Sequence, residues 1–409
     1  MTEIPTYDCL IAGAGPIGLA MANALKRSGI SYCLCGSLPQ DGLNSPDLRT
    51  AALFSGSIRL LQRLGVWQNL SPAAVPLAAI RIVDDTNRLL RAPEQLFAAA
   101  DLGDDCLGYN VANPDLVRAL VEALETDHDA QAAPSRHDVG ATITAYRHAP
   151  DAVTAILADG TERRARLVIA ADGRNSGARK AAGIDVQTWS HDQAALTAHL
   201  NHSLPHDNIS TEIHTRTGPC TVVPFGERRS SLVWMMDRDA AATLAPSDDA
   251  TFSAALENQL HGVLGAITSL TPRRTFPLSS LIANRFAANR TALIGEAGHA
   301  FPPIGAQGLN LGLRDIATLL DHIERALDQS RDPGSADVLS EYSAGRQGDV
   351  TARTYGVDAM NASLSGRITG LLRGALLHAT TLSPALRRSV LARGMSPLGE
   401  WPSLMRPGP

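Results

Sequence analysis

Several features that assign proteins to special classes are scarce in this chain of 409 residues. Charged residues make up 19% and hydrophobic residues 44%, which excludes a largely disordered chain and is typical of a soluble globular protein. The net charge of −5 excludes a general basic field for binding nucleic acid. No apolar run reaches the roughly 18 residues of a membrane-spanning helix. Residues 1–5 lack a basic region and a cleavage site, so we expect a cytoplasmic protein.

Cysteine is also scarce, and its spacing matches no metal-binding motif. The five cysteines are scattered: Cys9, Cys33, Cys35, Cys106 and Cys220. No CxxC pair is present, so the sequence predicts reduced thiols, no disulfide framework and no metal site. The cysteines at 33 and 35 alternate on a predicted strand, where we expect small buried hydrophobic residues. The histidines between 199 and 214 are spread over two strands and a turn, which favours ordinary sheet and loop residues.

The first feature that points to a ligand lies near the start of the chain. Residues 8–12 predict a buried strand, 19–28 a helix and 30–35 a second strand. A GxGxxG turn joins the first strand to the helix, which lets the backbone approach a pyrophosphate while the helix amides face its charge. The sequence therefore predicts dinucleotide binding by Gly13, Ala14, Gly15, Pro16, Ile17 and Gly18.

One part of this unit is missing. Such units usually carry an acid about 20 residues further on, at the end of the second strand, which holds the ribose hydroxyls. That position is Gly36, and no acid occurs between residues 33 and 40. Because a lost charged hydrogen bond costs roughly 1.5–3 kcal/mol, we expect weak but real cofactor binding.

The remaining chain alternates between helical and strand-like patterns. Helices are predicted over 55–64, 113–125, 251–264 and 308–328, and the tail 340–409 is predicted to be mostly helical. Strand-like runs fill residues 139–170 and 194–236. Because this block does not alternate with helices, it predicts a separate antiparallel sheet.

Three further motifs carry a family resemblance. They are the run 47–53, the run 171–179 and the run 293–315, which contains GEAGHAFPPIGAQGLNLGLRD. With the glycine turn, they resemble the single-component FAD-dependent aromatic hydroxylases built like p-hydroxybenzoate hydroxylase. Together with the runs at 107–113, 276–279 and 372–378, they are most similar to the ubiquinone-biosynthesis hydroxylases (the UbiH, UbiF and UbiL group). The broader family usually has Asp where this chain has Glu296.

The resemblance implies an α/β fold in which a Rossmann-like FAD-binding domain carries an inserted antiparallel β-sheet substrate domain and a helical C-terminal tail. We expect three segments to form the FAD-binding domain: 1–78, 105–185 and 283–340. The substrate domain is expected over 79–104 and 186–282, and the helical C-terminal region over 341–409. No second GxGxxG is present, and the resemblance implies that NAD(P)H binds transiently as a co-substrate.

The resemblance also implies a reaction. This is the NAD(P)H-dependent hydroxylation of a polyprenyl-phenol in ubiquinone biosynthesis, with O2 and through a flavin C4a-hydroperoxide. Two alternatives stay open: a hydroxylase of a small soluble phenol, and an accessory protein of a quinone-biosynthesis complex that binds flavin weakly. Gly36 and Glu296 suggest the second alternative. The ring position and the choice between NADH and NADPH stay open as well.

The resemblance places further cofactor contacts outside the glycine turn. These are expected at Arg49, Asn113, Asp172, Gly295, Glu296, Pro303, Gly305, Gly308, Leu309 and Asn310. The helix that begins near Gly308 points its positive end at the flavin. The catalytic candidates are His299, Pro303 and Gln307, although a structural hydrogen-bonding role is favoured for the histidine. No catalytic base stands out, so the substrate phenol is expected to activate its own ring.

The tail has an unusual local charge. Residues 359–399 contain no acid, yet five arginines lie beside a leucine-rich stripe: Arg367, Arg373, Arg387, Arg388 and Arg393. A basic amphipathic segment of this kind binds an anionic membrane or a partner protein. We therefore expect docking on the inner membrane or on a subunit of a quinone-biosynthesis complex. The alternative is a helical pair that packs on the FAD domain.

Overall fold

The computed structural model describes residues 4–38, 47–86, 91–126 and 134–408, without the side chains of residues 365, 367, 368 and 371. A first sheet is built around the N-terminal strand. Its strands are β1 (Thr6–Ala12), β2 (Tyr32–Gly36), β8 (Ser135–Val139), β9 (Ile143–His148), β10 (Val153–Leu157), β11 (Glu162–Ala170), β18 (Ala287–Ala288) and β19 (Thr291–Leu293).

The first sheet is parallel at its centre. β1 lies between β2 and β11, and β8 and β19 continue the parallel part on either side. The inner strands are near-continuous apolar runs because helices and loops cover both faces. One face is covered by α1 (Pro16–Arg27), α4 (Asn113–Glu125) and α8 (Gln307–Asp328), and α1 packs against both of the others. This layer brings the two predicted flavin motifs to one edge of the sheet.

A second sheet is larger and mostly antiparallel. Its strands are β5 (Ala79–Asp84), β6 (Gln95–Ala98), β12 (Val186–His202), β13 (Ile209–His214), β14 (Pro219–Pro224), β15 (Arg229–Asp237), β16 (Ile267–Leu270), β17 (Arg274–Ala283) and β20 (His299–Ala300). The helices α6 (Arg238–Leu244) and α7 (Asp249–Gln259) close one face, where Phe252 and Leu256 of α7 share a hydrophobic cluster with Trp234 of β15. Because β20 follows the flavin motif directly, this sheet lies against the cofactor side of the molecule.

The remaining elements connect the two sheets and form the tail. A small sheet contains β3 (Thr50–Phe54), β4 (Val75–Leu77) and β7 (Gly108–Ala112). Short helices are α2 (Ser55–Arg63), α3 (Trp67–Leu70) and α5 (Gly177–Ala181), and the tail holds α9 (Ala336–Ser365), α10 (Arg367–Leu382) and α11 (Pro384–Met395). No helix among the described residues is both long enough and apolar enough to cross a membrane.

The predicted fold class is confirmed, with two corrections. The strands predicted over 139–170 do not join a separate antiparallel sheet, because β11 pairs in parallel with β1 and carries β10 and β9 with it. The second sheet is also not purely antiparallel, since β5 and β13 run parallel. Nonlocal pairing decided both points, and strand alternation cannot reveal it. The domain boundaries stay a prediction.

Two ion pairs fasten the tail to the rest of the protein, a buried one on α10 and a partly exposed one on α11. On α10, Arg373 lies 2.9 Å from Asp84 and 2.7 Å from the imidazole Nδ1 of His214. On α11, Arg387 lies 2.7 Å from Asp101. Two of the five tail arginines therefore stabilise intramolecular packing. Their partners belong to the second sheet and to the segment that follows β6, and not to the FAD domain on which the alternative interpretation places the tail. The side chain of Arg367 lies outside the described residues.

A second group of buried charges joins α8 to α9. The carboxylate of Asp349 accepts hydrogen bonds from Arg314 at 2.8 Å and from Arg346 at 2.9 Å, and all three side chains are almost fully buried. Burial raises the pKa of Asp349, but the two guanidinium groups outweigh it and hold this pKa below its ordinary value. The ion pairs therefore contribute stability as long as the carboxylate is ionised.

We expect Asp349→Asn to lower the free energy of unfolding at pH 7 by about 3–5 kcal/mol, because two buried guanidinium groups lose their counter-charge. The depressed pKa means that this stabilisation is present above pH ~4 and is lost as the pH falls through the folded-state pKa. Urea denaturation at several pH values measures the difference. Asp151→Asn removes the exposed partner of Arg164 and should cost less than about 1 kcal/mol. Equal effects of the two variants would contradict the prediction.

Candidate functional site

The three glycines of the turn have different local roles. A Cβ atom at Gly13, where φ is +112°, would lie 2.4 Å from the carbonyl oxygen of Ala171. One at Gly18 would lie 1.8 Å from the carbonyl oxygen of Gly13. A Cβ at Gly15, in contrast, would meet no atom of the described residues within 4 Å. Gly13 and Gly18 therefore close the turn against the sheet and the helix, while Gly15 faces open space.

That open space is a cavity of about 470 Å³ at the carboxyl ends of β1, β2 and β11. Its lining includes the glycine turn, the end of β2, one residue of β9 and the loop after β11: Gly13, Ala14, Gly15, Gly36, Ser37, Tyr146, Asp172 and Gly173. The helix α1 begins at Pro16, and its N-cap Gly15 offers no side chain to the first amides. A pyrophosphate fits this position because those amides need an acceptor.

The structure shows why Gly36 occupies the position at which related units carry a ribose-binding acid. This residue ends β2 with φ +156°, and a Cβ there would lie 2.6 Å from the backbone nitrogen of Ala14. An acidic side chain therefore requires the glycine turn to move. The local backbone has adapted to glycine, so substitution with an acid would not simply restore a ribose contact.

The second predicted flavin motif faces the same edge. Gly295 and Glu296 follow β19, and α8 begins at Gln307 after Ala306, which adopts a left-handed conformation with φ 52°. A Cβ at Gly308 would meet no described atom within 4 Å, so the start of α8 is open to a ligand. Ile17 packs against Gly295 and Gly312, and this contact joins the two motifs. The glycine turn and the start of α8 therefore form one cradle, which fits FAD because backbone amides lie at both of its ends.

Charged side chains lie beside this cradle. Arg49 forms two hydrogen bonds of 2.8 Å with the carboxylate of Asp47. The pKa of Arg49 is raised, chiefly by these hydrogen bonds, and the charge of Glu296 contributes further. Glu296 is largely exposed and lies 3.9 Å from Arg174. The expected FAD contacts at 49 and 296 therefore share one electrostatic environment, and both side chains are accessible to a ligand.

Other predicted contacts are already used within the protein. The side chain of Asn310 forms four hydrogen bonds, to the backbone of Ala52, Phe54 and Ala306 and to the hydroxyl of Ser57. Asp172 accepts hydrogen bonds from Ser176 and from the amide of residue 178, which fixes its turn.

Two further predicted contacts are also engaged. Asn113 donates to Asp47 at 3.3 Å, and Leu309 packs against the main core. A ligand would reach these positions mainly through the backbone.

The catalytic candidates are placed differently from one another. His299 is 2% exposed, and its Nε2–H donates to the carboxylate of Asp315 at 2.7 Å. Gln307 donates to the carbonyl oxygens of Gly305 and Gly394. Pro303 is exposed on the loop before α8. This geometry supports the structural role that was favoured for the histidine, and the catalytic assignments stay predictions.

Sequence reasoning missed the residues that hold the loop containing Gly295 and Glu296, which we call the flavin loop. The carboxylate of Asp315 accepts a hydrogen bond of 2.9 Å from the amide of Gly295 and another of 2.7 Å from Nε of Arg346. Burial raises the pKa of Asp315, but His299 and Arg346 outweigh it and lower this pKa. Asp315 closes the quoted motif and was available as a signal. Arg346 lies in an ordinary helical pattern, so the sequence offered no signal for its role.

The fold and this cradle define a class: a flavoprotein that binds FAD at the edge of a Rossmann-like sheet. A sequence profile described as FAD binding domain matches residues 6–354, and the chain belongs to this family. Its members and relatives identify the chain as an FAD-dependent monooxygenase.

Curated relatives resemble the chain over almost its full length. Ubiquinone hydroxylase UbiL of Rhodospirillum rubrum is 33% identical over 98% of this chain and 92% of its own length. The 3-demethoxyubiquinol 3-hydroxylase of Escherichia coli is 30% identical over 96% and 98%. Among solved structures, p-nitrophenol 4-monooxygenase PnpA from Pseudomonas putida has a TM-score of 0.77 at 19% identity and covers 97% of this chain and 100% of its own. That structural likeness supports the fold.

We expect Gly15→Val to abolish FAD binding without unfolding the protein, because a Cβ atom at this position meets no described protein atom within 4 Å and the new side chain enters the open cradle. FAD titration followed by fluorescence, with circular dichroism for the fold, measures both effects. The control is Gly374→Val, at another position where a Cβ has free space. Retained FAD affinity in Gly15→Val would contradict the cofactor assignment.

We expect FAD to dissociate readily on dialysis, because the end of β2 offers no acid to the ribose. Glu296→Ala should weaken binding further, by roughly tenfold to a hundredfold if a charged hydrogen bond is lost. Flavin absorbance before and after dialysis measures retention. Glu227→Ala, which changes an exposed acid on the turn between β14 and β15, is the control. Full flavin retention in the wild type would show that other contacts replace the missing acid.

Proposed function

We propose that this monooxygenase hydroxylates the aromatic ring of a polyprenyl-phenol intermediate of ubiquinone biosynthesis, with NAD(P)H and O2 as co-substrates. The support from similarity is that relatives covering nearly the whole chain are named ubiquinone hydroxylase and 3-demethoxyubiquinol 3-hydroxylase. The support from geometry is an apolar wall beside the flavin loop. Together they favour an aromatic substrate with a long apolar substituent.

The apolar wall joins the second sheet to the loop before α8. We use this name for five buried residues: Ala195, Met235, Leu278, Ile304 and Val357. Three partly buried residues pack against them: Val233, Phe301 and Met360. Ile304 directly follows Pro303, so the wall reaches the predicted flavin face. The partly buried neighbours are the apolar surface that a substrate could still cover. Burying apolar area contributes roughly 25 cal/mol per Å², which favours an apolar substituent at this position.

The chain itself supplies binding, orientation and exclusion of water. When FAD is bound, it would supply the reaction with O2 after reduction by NAD(P)H. Asp315 and Arg346 hold the loop that carries Gly295 and Glu296, and the apolar wall keeps water from the ring. His299 has its Nε2–H committed to Asp315, so the substrate hydroxyl is the group that activates the ring.

A second candidate function rests on one observation. The backbone at Gly36 closes against the glycine turn and leaves no space for a ribose-binding acid. This feature favours an accessory subunit of a quinone-biosynthesis complex that binds FAD weakly. Retention of flavin and turnover of a phenol distinguish the two functions.

We expect NADH or NADPH oxidation to be stimulated by a prenylated phenol, with formation of a hydroxylated product. Met360→Gln, which places an amide on the partly buried side of the apolar wall, should raise the KM for the prenylated phenol at least tenfold and change the KM for an unprenylated phenol much less. Oxygen uptake and product chromatography measure both reactions. Gly15→Val serves as the inactive control. Faster hydroxylation of the unprenylated phenol would favour a small-phenol hydroxylase instead.

We also propose that the tail docks the protein on an anionic membrane surface or a partner in quinone biosynthesis. Arg388 and Arg393 are exposed on α11. Large apolar side chains of the tail are exposed as well: Leu372, Leu376, Leu382, Val390 and Leu398. Each arginine near anionic lipid contributes about 1 kcal/mol. This surface suits a protein whose substrate resides in a bilayer.

We expect the wild type to float with anionic liposomes and not with neutral ones. The double variant Arg388→Glu with Arg393→Glu should reduce flotation at least tenfold, because it replaces attraction by repulsion. The control, Arg27→Glu with Arg285→Glu, makes the same charge change at two other exposed arginines. Binding that is equal for both double variants would refute docking through α11.

A further inference from the structure

Two cysteines and an aspartate converge at the end of two neighbouring strands. Cys33 and Cys35 lie on β2, and Asp138 lies opposite Cys35 on the parallel strand β8. Because side chains on a strand alternate, residues 33 and 35 share one face of the sheet, and the parallel register adds Asp138 to that face. The two Sγ atoms are 3.6 Å apart, and Sγ of Cys33 is 3.6 Å from Oδ2 of Asp138.

The strand geometry opposes a disulfide between these cysteines. Residues two apart on one strand have Cα atoms roughly 6–7 Å apart, and side chains that point the same way keep their Cβ atoms about equally separated. A disulfide needs Cβ atoms about 3.5–4.5 Å apart. The strand would therefore have to bend within the buried sheet, although the sulfur atoms themselves lie close together.

The same distances suit a shared metal ion. Zinc binds thiolate sulfur at about 2.3 Å and carboxylate oxygen at about 2.0 Å in a tetrahedron. With those bond lengths, the 3.6 Å separation of the two sulfurs corresponds to an S–Zn–S angle of about 103°. The 3.6 Å separation of Cys33 and Asp138 corresponds to an S–Zn–O angle of about 114°. Both angles are close to the tetrahedral value.

The surrounding charges complete such a site. Asp138 accepts hydrogen bonds from Nε of Arg136 at 2.8 Å and from Nε of Arg163 at 2.6 Å. Hydrogen bonds of this kind orient a ligating carboxylate, and each carboxylate oxygen has a second lone pair for a metal. Two thiolates and one carboxylate carry three negative charges, which balance a divalent cation and one of the two adjacent arginines. Thiolate ligands also select zinc over magnesium or calcium.

We propose that Cys33, Cys35 and Asp138 form a Zn²⁺ site, with water as the fourth ligand. This proposal departs from the sequence expectation of no metal site, which relied on the absence of CxxC spacing. The third ligand lies on another strand, so no local sequence motif could indicate it. Cys35 also lines the cavity beside the glycine turn, so the ion would brace the end of β2 where the ribose acid is missing.

The test is metal titration of chelator-treated full-length protein. Cd²⁺ serves as the spectroscopic probe, because thiolate coordination produces an ultraviolet charge-transfer band, and Zn²⁺ affinity is measured by competition with a chromogenic chelator. We expect one equivalent per chain. Cys33→Ser and Cys35→Ser should each weaken zinc binding at least tenfold and remove most of the band. The matched control is Cys220→Ser, which changes another fully buried cysteine and should bind zinc as the wild type does.

Asp138→Asn keeps both sulfurs and provides an independent check of the third ligand. It should retain the charge-transfer band and weaken zinc binding about tenfold or more. Circular dichroism confirms that each variant is folded. The proposal is overturned if the wild type shows no charge-transfer band, or if Cys33→Ser and Cys35→Ser bind zinc as tightly as Cys220→Ser. Hydroxylation is not measured, so failure of the proposed function would leave this result unaffected.

Discussion

A buried carboxylate, that of Asp315, is the interaction on which the cofactor region depends. It accepts hydrogen bonds from the amide of Gly295, from His299 and from Arg346, and it is fully buried. These contacts join the flavin loop, β20, α8 and α9 at one point. An unpaired charge in that environment would be costly, so the donors and the carboxylate hold one another in place. The position of Glu296 follows from this arrangement.

The second constraint is the absence of side chains where backbone must approach backbone. Gly13 and Gly18 let the turn, the sheet and α1 pack closely, whereas Gly15 and Gly308 leave open space for a ligand. Gly36 belongs to the first group, since its backbone meets the turn where related units place an acid. Glycine therefore both builds the cradle and weakens one of its contacts.

Several features were predictable from local sequence. The glycine turn was recognised because its function requires glycines at fixed spacing, and α4 was predicted with the observed bounds because its apolar positions repeat with the helical period. The motif around Gly295 was found through family resemblance. The parallel pairing of β8 with β2 and of β11 with β1 was not predicted, because strand alternation indicates a strand but not its partner.

The sequence by itself predicted the dinucleotide-binding turn and the basic character of the tail, because both depend on short-range spacing or composition, whereas family resemblance supplied the fold class and the second flavin motif. Only the tertiary structure decided what individual polar side chains do. It assigned Asn310 and Asp172 to internal hydrogen bonds, Arg373 and Arg387 to packing, and it brought Asp138 beside two cysteines. The physical reason is that a polar side chain takes the partner that folding places within about 3 Å, and that partner is usually distant in sequence.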